Sequence, residues 1–453
     1  MNFYQTEQRL FSGRRQKLFK MVSENDVLVL FNGSEKNRNY DVNHSYRANS
    51  NFYYMTGFEE SDSALLCFYK DGKMQSRLYV PPKDRNKEQW EGKRLGVKAG
   101  QKYFTDLELR SYECLFDDLI EAFTEPRGLG NLYTNAYSWM GSYDKDYQRE
   151  KIIEHVIERL QYNPRYRKNP FRGVLNISHD IYQMRLIKDQ FDLKMMQKAA
   201  DISVEAHKDF MRALAPGKYE YEVQAVLEKK FKELGANGVA YGSIIASGSN
   251  ATILHYHANN AKMKKGDLML IDAGCEYANY ASDITRTIPV SGQYTAEQKA
   301  IADIVAEAHQ ESITKLKSLK RYEDIYPISA KVIVEGLKRL KILKGNTQEL
   351  IKKQLHKRYY PHSLGHWLGM DVHDPCPYVD SNNKSMPLKK GMVMTIEPGI
   401  YFLPDDKTVD KKWRGIGVRI EDDILLNSSK KGYKNLTGAL PAYPKDIEEF
   451  LKQ

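Results

Sequence analysis

The sequence predicts an α+β fold in two parts, residues 1–178 and 179–453, and three observations carry that prediction. At 453 residues the chain is longer than one hydrophobic core usually organises. Its first part alternates short apolar runs with stretches of helical spacing. Its second part gives twice over the order of two helices followed by a hairpin, which is an α+β arrangement.

In the first part, Arg9 to Met21 has helical spacing and Val27 to Phe31 is an apolar run of strand length. Ala64 to Tyr69 and Leu78 to Val80 are further strands, broken by Asp71-Gly72 and Pro81-Pro82. Leu107 to Phe123 and Arg149 to Leu160 read as helices, which makes this part α/β. Tyr162 to Gly173, basic and carrying Pro164 and Pro170, is the expected linker. Asp41 to Phe58 and Trp90 to Gly96 are dense in polar and aromatic residues.

A long helical pattern opens the second part, from Ile181 to Ala213, and Pro216-Gly217 stops it. Glu220 to Leu234 is the next helix, ending at Gly235. Val239 to Ala246 is strand-like and leads into Gly248 to His257. Helices return at Thr295 to Leu319 and at Ile328 to Leu340.

The hairpins hold the chemistry. The apolar run Leu268 to Ile271 ends in Asp272, and a second β-prone run, Ile284 to Val290, begins just after Asp283. Any even-length loop centred near Tyr277 to Asn279 points both aspartates to one sheet face, because side chains alternate with period 2. Two carboxylates held that close raise one another's pKa unless a cation lies between them. A metal site is the economical reading.

The pattern recurs. Lys264-Lys265-Gly266 precedes Asp272 by the interval at which Lys389-Lys390-Gly391 precedes Glu397, with apolar runs between. A turn pair follows each acid, Ala273-Gly274 or Pro398-Gly399. Gly417 to Ile420 then delivers Glu421, Asp422 and Asp423. Two related halves, each offering acids, are a plausible way to surround a metal.

Three of the eleven histidines, His362, His366 and His373, fall in one glycine-containing stretch. The interval from His362 to His366 would suit two zinc ligands on a helix turn, yet the Glu required beside the first is Ser363. That zinc-protease motif is absent.

Composition narrows the function classes. The net charge of +10 is dispersed along the chain among acids and without an RNA or DNA motif, so a solvated basic surface is expected rather than a nucleic-acid partner. No apolar run approaches the roughly 20 residues that span a bilayer, so no membrane partner is expected. Met1 to Glu7 shows no basic segment leading into an apolar core. Cys67, Cys114, Cys275 and Cys376 have neither metal nor disulfide spacing, which fits a reducing, cytoplasmic compartment.

Asp272, Asp283, His366 in Gly-His-Trp-Leu-Gly, Glu397 in Ile-Glu-Pro-Gly and Glu421 in Arg-Ile-Glu-Asp-Asp together resemble the five metal ligands of the pita-bread metallopeptidases. Within that superfamily the chain is most similar to the aminopeptidase P family. The similarity extends to Tyr46-Arg47, Gly57-Phe58, Trp90 to Gly96, Ile253 to Tyr256 and Asp272 to Tyr277, nearly the whole chain.

The resemblance implies a creatinase-like α/β domain over 1–178 and a pita-bread catalytic domain with pseudo-twofold halves over 179–453. It also implies two divalent metal ions, commonly manganese, bridged by a water or hydroxide. One imidazole with four carboxylates is an oxygen-rich set suited to such ions, whereas structural zinc usually takes thiolates. By similarity, Asp272 serves one ion and His366 the other, Asp283 and Glu421 bridge, and Glu397 is both ligand and proton shuttle. His255 and His373 match family histidines that contact substrate and the tetrahedral intermediate. His362 lines the pocket, and Arg419 is the cation that orients the site. Residues matching Asp41 and Trp90 approach a neighbouring subunit's site in a tetramer, so a homo-oligomer, dimer or tetramer, is implied.

The expected activity is release of an N-terminal residue from peptides with proline second. A prolidase, sharing the ligands and cutting only dipeptides, is the nearest alternative; Trp367 and Ile284 to Thr287 favour the aminopeptidase. The third reading is a non-catalytic peptide-binding module of the same fold.

Overall fold

A computed structural model describes residues 7–124, 129–135, 147–161 and 171–453. The chain divides between Met184 and Arg185 into two compact units.

Unit one is built on a six-stranded mixed sheet in the order Glu108–Ser111, Lys73–Val80, Ala64–Lys70, Val27–Phe31, Gly130–Thr134 and Phe171–Asn176. Val27–Phe31 pairs antiparallel with Ala64–Lys70 and parallel with Gly130–Thr134, and all five of its residues are buried. A strand covered on both faces has no polar side to show, which is why it reads as an unbroken apolar run. Val27, Val29 and Phe31 pack with Leu115, Leu119 and Phe123 of helix Leu115–Thr124 and with Ile153 and Val156 of helix Tyr147–Gln161.

Two expectations change here. Leu107 to Phe123 is not one helix, because Glu108–Ser111 forms a parallel edge strand beside Lys73–Val80. Only Leu109 of those four is buried, so the segment has period 2 and a single apolar contact, too little to mark it in sequence. Most of the expected linker, 162–170, lies outside the described residues, and Phe171 to Gly173 is strand.

Unit two holds two sets of helix pair and three-stranded sheet. Helices Gln190–Ala213 and Glu220–Glu233 accompany strands Ile244–Ser247, Leu268–Asp272 and Thr285–Pro289. Helices Ala296–Lys315 and Tyr326–Arg339 accompany Val393–Ile396, Asp422–Leu426 and Tyr433–Asn435. Ile271, Ile284 and Ile288 pack against Phe210, Leu227 and Phe231 in the first set. Met394, Ile396 and Ile424 pack with Trp367 and Ile313 in the second.

The long helix expected from Ile181 to Ala213 is two helices, Ser178–Leu186 and Gln190–Ala213. Asp189 starts the second: its Oδ1 accepts from the Phe191 and Asp192 amides at 2.9 and 3.0 Å, and Asp192 accepts back from the Asp189 amide at 3.0 Å. This reciprocal cap satisfies amides that a continuous helix would have bonded internally. Val239 to Ala246 likewise resolves into Gly238–Val239 and Ile244–Ser247. Among the described residues, no helix is long and apolar enough to cross a membrane.

Candidate metal centre

The first hairpin is long, and its tip pairs with Gly238–Val239 in a separate small sheet. Asp272 pairs with Thr285, and the same register continues through Glu276 with Ala281 and Tyr277 with Tyr280. Only Ala278 and Asn279 remain as the turn, with φ of 51° and 63°. Two successive positive φ values make the type I′ turn that matches strand twist. This two-residue loop puts Asp283 on the face of Asp272, as an even loop requires. Gly274 is needed beside it, since a Cβ there would lie 1.8 Å from the Ser282 carbonyl oxygen.

In the second hairpin, Ile396 pairs with Asp422 and Gly399 with Arg419, so Glu397 and Glu421 occupy facing positions. Thr285 and Glu421 pair between the hairpins, with the Glu421 amide donating to the Thr285 carbonyl at 3.0 Å. The result is one row across four strands: Asp272, Thr285, Glu421, Glu397. Facing residues in such a row project to the same side. Thr285 is the non-acid member, and its hydroxyl donates to Glu421 Oε2 at 2.7 Å.

His366 comes from a loop laid along the outer edge of this row. The Glu397 amide donates to the Leu364 carbonyl at 2.7 Å and the Thr395 amide to the His366 carbonyl at 2.9 Å. Gly365 allows that approach, because a Cβ would meet the Thr395 carbonyl oxygen at 2.0 Å. His366 Nδ1 is 3.1 Å from the Trp367 carbonyl, which assigns the proton there and frees Nε2. Nε2 points inward, 3.4 Å from Asp283 Oδ2 and 3.7 Å from Glu397 Oε1. Asp283, His366 and Glu421 each place a donor atom within 4.8 Å of the other two.

The charges do not balance as they stand. Asp272 has Arg419 at 2.5 Å, whereas Asp283 and Glu397 have His366 at 3.4 and 3.7 Å, and the charge of Arg419 offsets Glu397 and Glu421 only in part. Burial and the neighbouring carboxylates push Glu421 well above the usual range, and burial raises Asp283 and lifts Glu397 to about 7. Behind them, Asp423 is also raised, by burial and then Asp283, and its Oδ1 is buried without a hydrogen-bond partner. Crowded acids short of cations are what a divalent ion corrects. The donors present therefore fit such ions: four carboxylates, one imidazole nitrogen and no thiolate.

Two tyrosines absent from the sequence-level set complete the constellation. The Tyr241 hydroxyl donates to Asp272 Oδ1 at 2.7 Å and also bonds Asp283 Oδ1, fixing both carboxylates. Tyr401 receives Arg419 Nη1 at 2.9 Å and lies 3.0 Å from His362 Nε2. A chain thus runs from Asp272 through Arg419 and Tyr401 to His362. His362 is neutral at its inner end: burial and then Arg419 lower its pKa to about 4. With 31 tyrosines in the chain, nothing in the sequence marks these two.

The rim carries the remaining histidines. His373 is exposed, with its ring centroid 4.2 Å from that of His366. The half of its ring turned inward is desolvated, and this, then the charges of His366 and His255, lowers its pKa. His255 is exposed in the loop after Gly248–Thr252. Asp41 and Trp90 are not among the residues gathered in unit two. They belong to unit one, Asp41 in the turn between Asn37–Asn39 and Val42–Asn43 and Trp90 in helix Arg85–Glu91, and both are exposed, Trp90 by 89%.

Comparison with known proteins agrees with this picture. Residues 194–428 match the family model described as Metallopeptidase family M24, and residues 11–124 match Aminopeptidase P, N-terminal domain. The chain is 34% identical to the Xaa-Pro aminopeptidase of Escherichia coli (strain K12), over 97% of either protein. Its fold superposes on the aminopeptidase PepP of Pseudomonas aeruginosa with a TM-score of 0.91, at 36% identity and 98% coverage of both chains. The same score, at 34% identity and 98% coverage of both, relates it to aminopeptidase P from E. coli with the inhibitor Pro-Leu.

Proposed function

The chain belongs to metallopeptidase family M24, and from that premise we propose that it hydrolyses the peptide bond between an N-terminal residue and a following proline, with two divalent ions. The observation that carries the reading is the four-strand row of Asp272, Thr285, Glu421 and Glu397, with Asp283 and His366 closing on it. Asp272, Asp283, His366, Glu397 and Glu421 would hold the ions. Manganese is the metal proposed, on the oxygen-rich donor set. When bound, the ions supply Lewis acidity and a water acidic enough to attack at neutral pH.

The chain's own residues then divide the work. Tyr241 and Arg419 hold the carboxylates of Asp283 and Asp272 in fixed rotamers, so little reorganisation is needed on binding. Glu397, a ligand beside His366, serves to carry a proton to the departing proline nitrogen. His373 and His255, at the rim, would donate to the carbonyl oxygen as charge develops there. His362, held neutral and braced by Tyr401, forms the wall against which the proline ring rests.

The same reading makes the protein a homo-oligomer, dimer or tetramer, in which exposed Asp41 and Trp90 are available to a neighbouring subunit. A reducing, cytoplasmic setting suits the four free cysteines. Burial pushes the Cys275 and Cys376 thiols up to about 12, so they are protonated and inert.

The test is release of the N-terminal residue from a tripeptide with proline second, comparing chelated protein with protein given back manganese. An Xaa-Pro dipeptide is assayed beside it. Metal-dependent cleavage of the tripeptide is expected, and hydrolysis of the dipeptide alone would show a prolidase instead.

A further inference from the structure

Glu220 is the first residue of helix Glu220–Glu233, fully buried, and remote in sequence from every residue of the metal centre. An isolated carboxylate there would be costly, so its partners are informative. Oε1 accepts from the Ser247 amide at 2.7 Å, the Ser247 hydroxyl at 2.7 Å and Asn250 Nδ2 at 3.3 Å. Oε2 accepts from the Tyr256 hydroxyl at 2.9 Å and the Ala261 amide at 2.9 Å.

The division between the two oxygens matters. Ser247 and Asn250 lie on the chain entering the loop that carries His255, whereas Tyr256 and Ala261 lie on the chain leaving it. One carboxylate therefore ties both limbs together at the loop's base, and His255 stands exposed between them. Charge-assisted hydrogen bonds of this kind are about twice as strong as neutral ones, so the clamp is stiff.

We propose that Glu220 is a positioning residue for the reaction, acting through His255 by clamping the two limbs of loop 247–261. The inference rests on the role given to His255 above. Glutamine at this position keeps the shape but offers one acceptor oxygen and turns an NH₂ group toward donors, so it leaves one limb unheld.

The experiment compares wild type, Glu220→Gln, His255→Ala and the double variant, all metal-loaded, on a tripeptide with proline second. Metal content and amide hydrogen exchange are measured alongside. Glu220→Gln is expected to lower kcat by about 10- to 100-fold, as small misplacements do, with KM and metal content little changed. Exchange should rise over 247–261 and not in strand Leu268–Asp272. In the His255→Ala background the same substitution should cost almost nothing further.

Equal losses in both backgrounds, or no loss from Glu220→Gln in the intact background, overturn the proposal. If Glu220→Gln does not fold, Tyr256→Phe removes a single donor and should show a smaller loss with the same dependence on His255; an additive loss overturns the proposal. A wild type that leaves the tripeptide intact defeats the functional reading itself. The exchange data then decide the clamp separately, and unchanged protection over 247–261 would refute it.

Discussion

Asp374→Asn is expected to destabilise unit two by far more than a surface charge change would. Asp374 follows His373 and is buried with two cations: Arg185 Nη2 at 2.6 Å from Oδ1 and Lys188 Nζ at 2.8 Å from Oδ2. The three side chains are 1%, 2% and 3% exposed, in the order Asp374, Arg185, Lys188. Arg185 keeps Asp371 at 2.6 Å, but Lys188 has no other acid within ion-pair distance among the described residues. Stripping one partner from a buried pair costs about 3–5 kcal/mol, because the remaining charge stays desolvated. For a unit of this size that is a fall in Tm of roughly 6 to 20 °C. The assay is thermal unfolding of metal-loaded protein, followed by circular dichroism. Adding Lys188→Met to Asp374→Asn should recover part of the loss, since it removes the orphaned ammonium. A single variant melting within about 2 °C of wild type would refute the reasoning, as would a double variant less stable than the single.

The metal centre yields three more expectations. Tyr241→Phe removes the hydroxyl shared by Asp272 and Asp283, and metal affinity measured by chelator competition should weaken about 10- to 100-fold. Gly365→Ala places a Cβ against the Thr395 carbonyl and displaces His366, so elemental analysis should find fewer than two equivalents of bound metal; two would contradict it. The metal-free protein should lose stability as pH rises through mild alkalinity. Burial opposes the His366 imidazolium, but Asp283 and Glu397 outweigh it and raise its folded pKa to about 9. A raised pKa stabilises below the unfolded value of about 6.5 and is lost as pH climbs to about 9. The denaturant midpoint should fall across that window without metal and stay level with saturating metal, which takes the imidazole neutral.

Much of this centre is legible in the chain because hairpins convert spacing into direction. The matching Lys-Lys-Gly intervals before Asp272 and Glu397, and an even loop before Asp283, place acids on a common face without any knowledge of packing. Features set by tertiary contact are not legible that way. Glu108 to Ser111 has one buried side chain and reads as helix until Lys73–Val80 lies beside it. The break at Asp189 depends on a reciprocal side-chain cap inside an otherwise helical pattern. Tyr241 and Tyr401 act through hydroxyls brought from other segments, and a tyrosine's neighbours in sequence say nothing of where its hydroxyl ends.

The two halves of unit two share a register but not a chemistry, and the difference accounts for the charge of the centre. Aligning Asp272 with Glu397 puts Thr285, which faces Asp272, in the place of Glu421, which faces Glu397. Two residues back along the returning strands, Asp283 then corresponds to Arg419. Thr285 and Glu421 bond to each other between the hairpins, so the hydroxyl steadies an acid where a second acid would repel it. Arg419 turns to Asp272, at 2.5 Å, whereas Asp283 turns to His366. One carboxylate is thereby neutralised by a fixed guanidinium within the protein. Three others gather around a single imidazole, leaving an excess of negative charge that divalent cations balance. Two copies of the first hairpin would have offered four acids without an orienting cation, and two copies of the second four acids and two arginines. The first arrangement would lack a fixed partner for Asp272, and the second would set two guanidiniums against the ions and leave half the acid charge to hold them. The asymmetry between Asp283 and Arg419 therefore lets the paired hairpins both hold divalent ions and keep one carboxylate rigid.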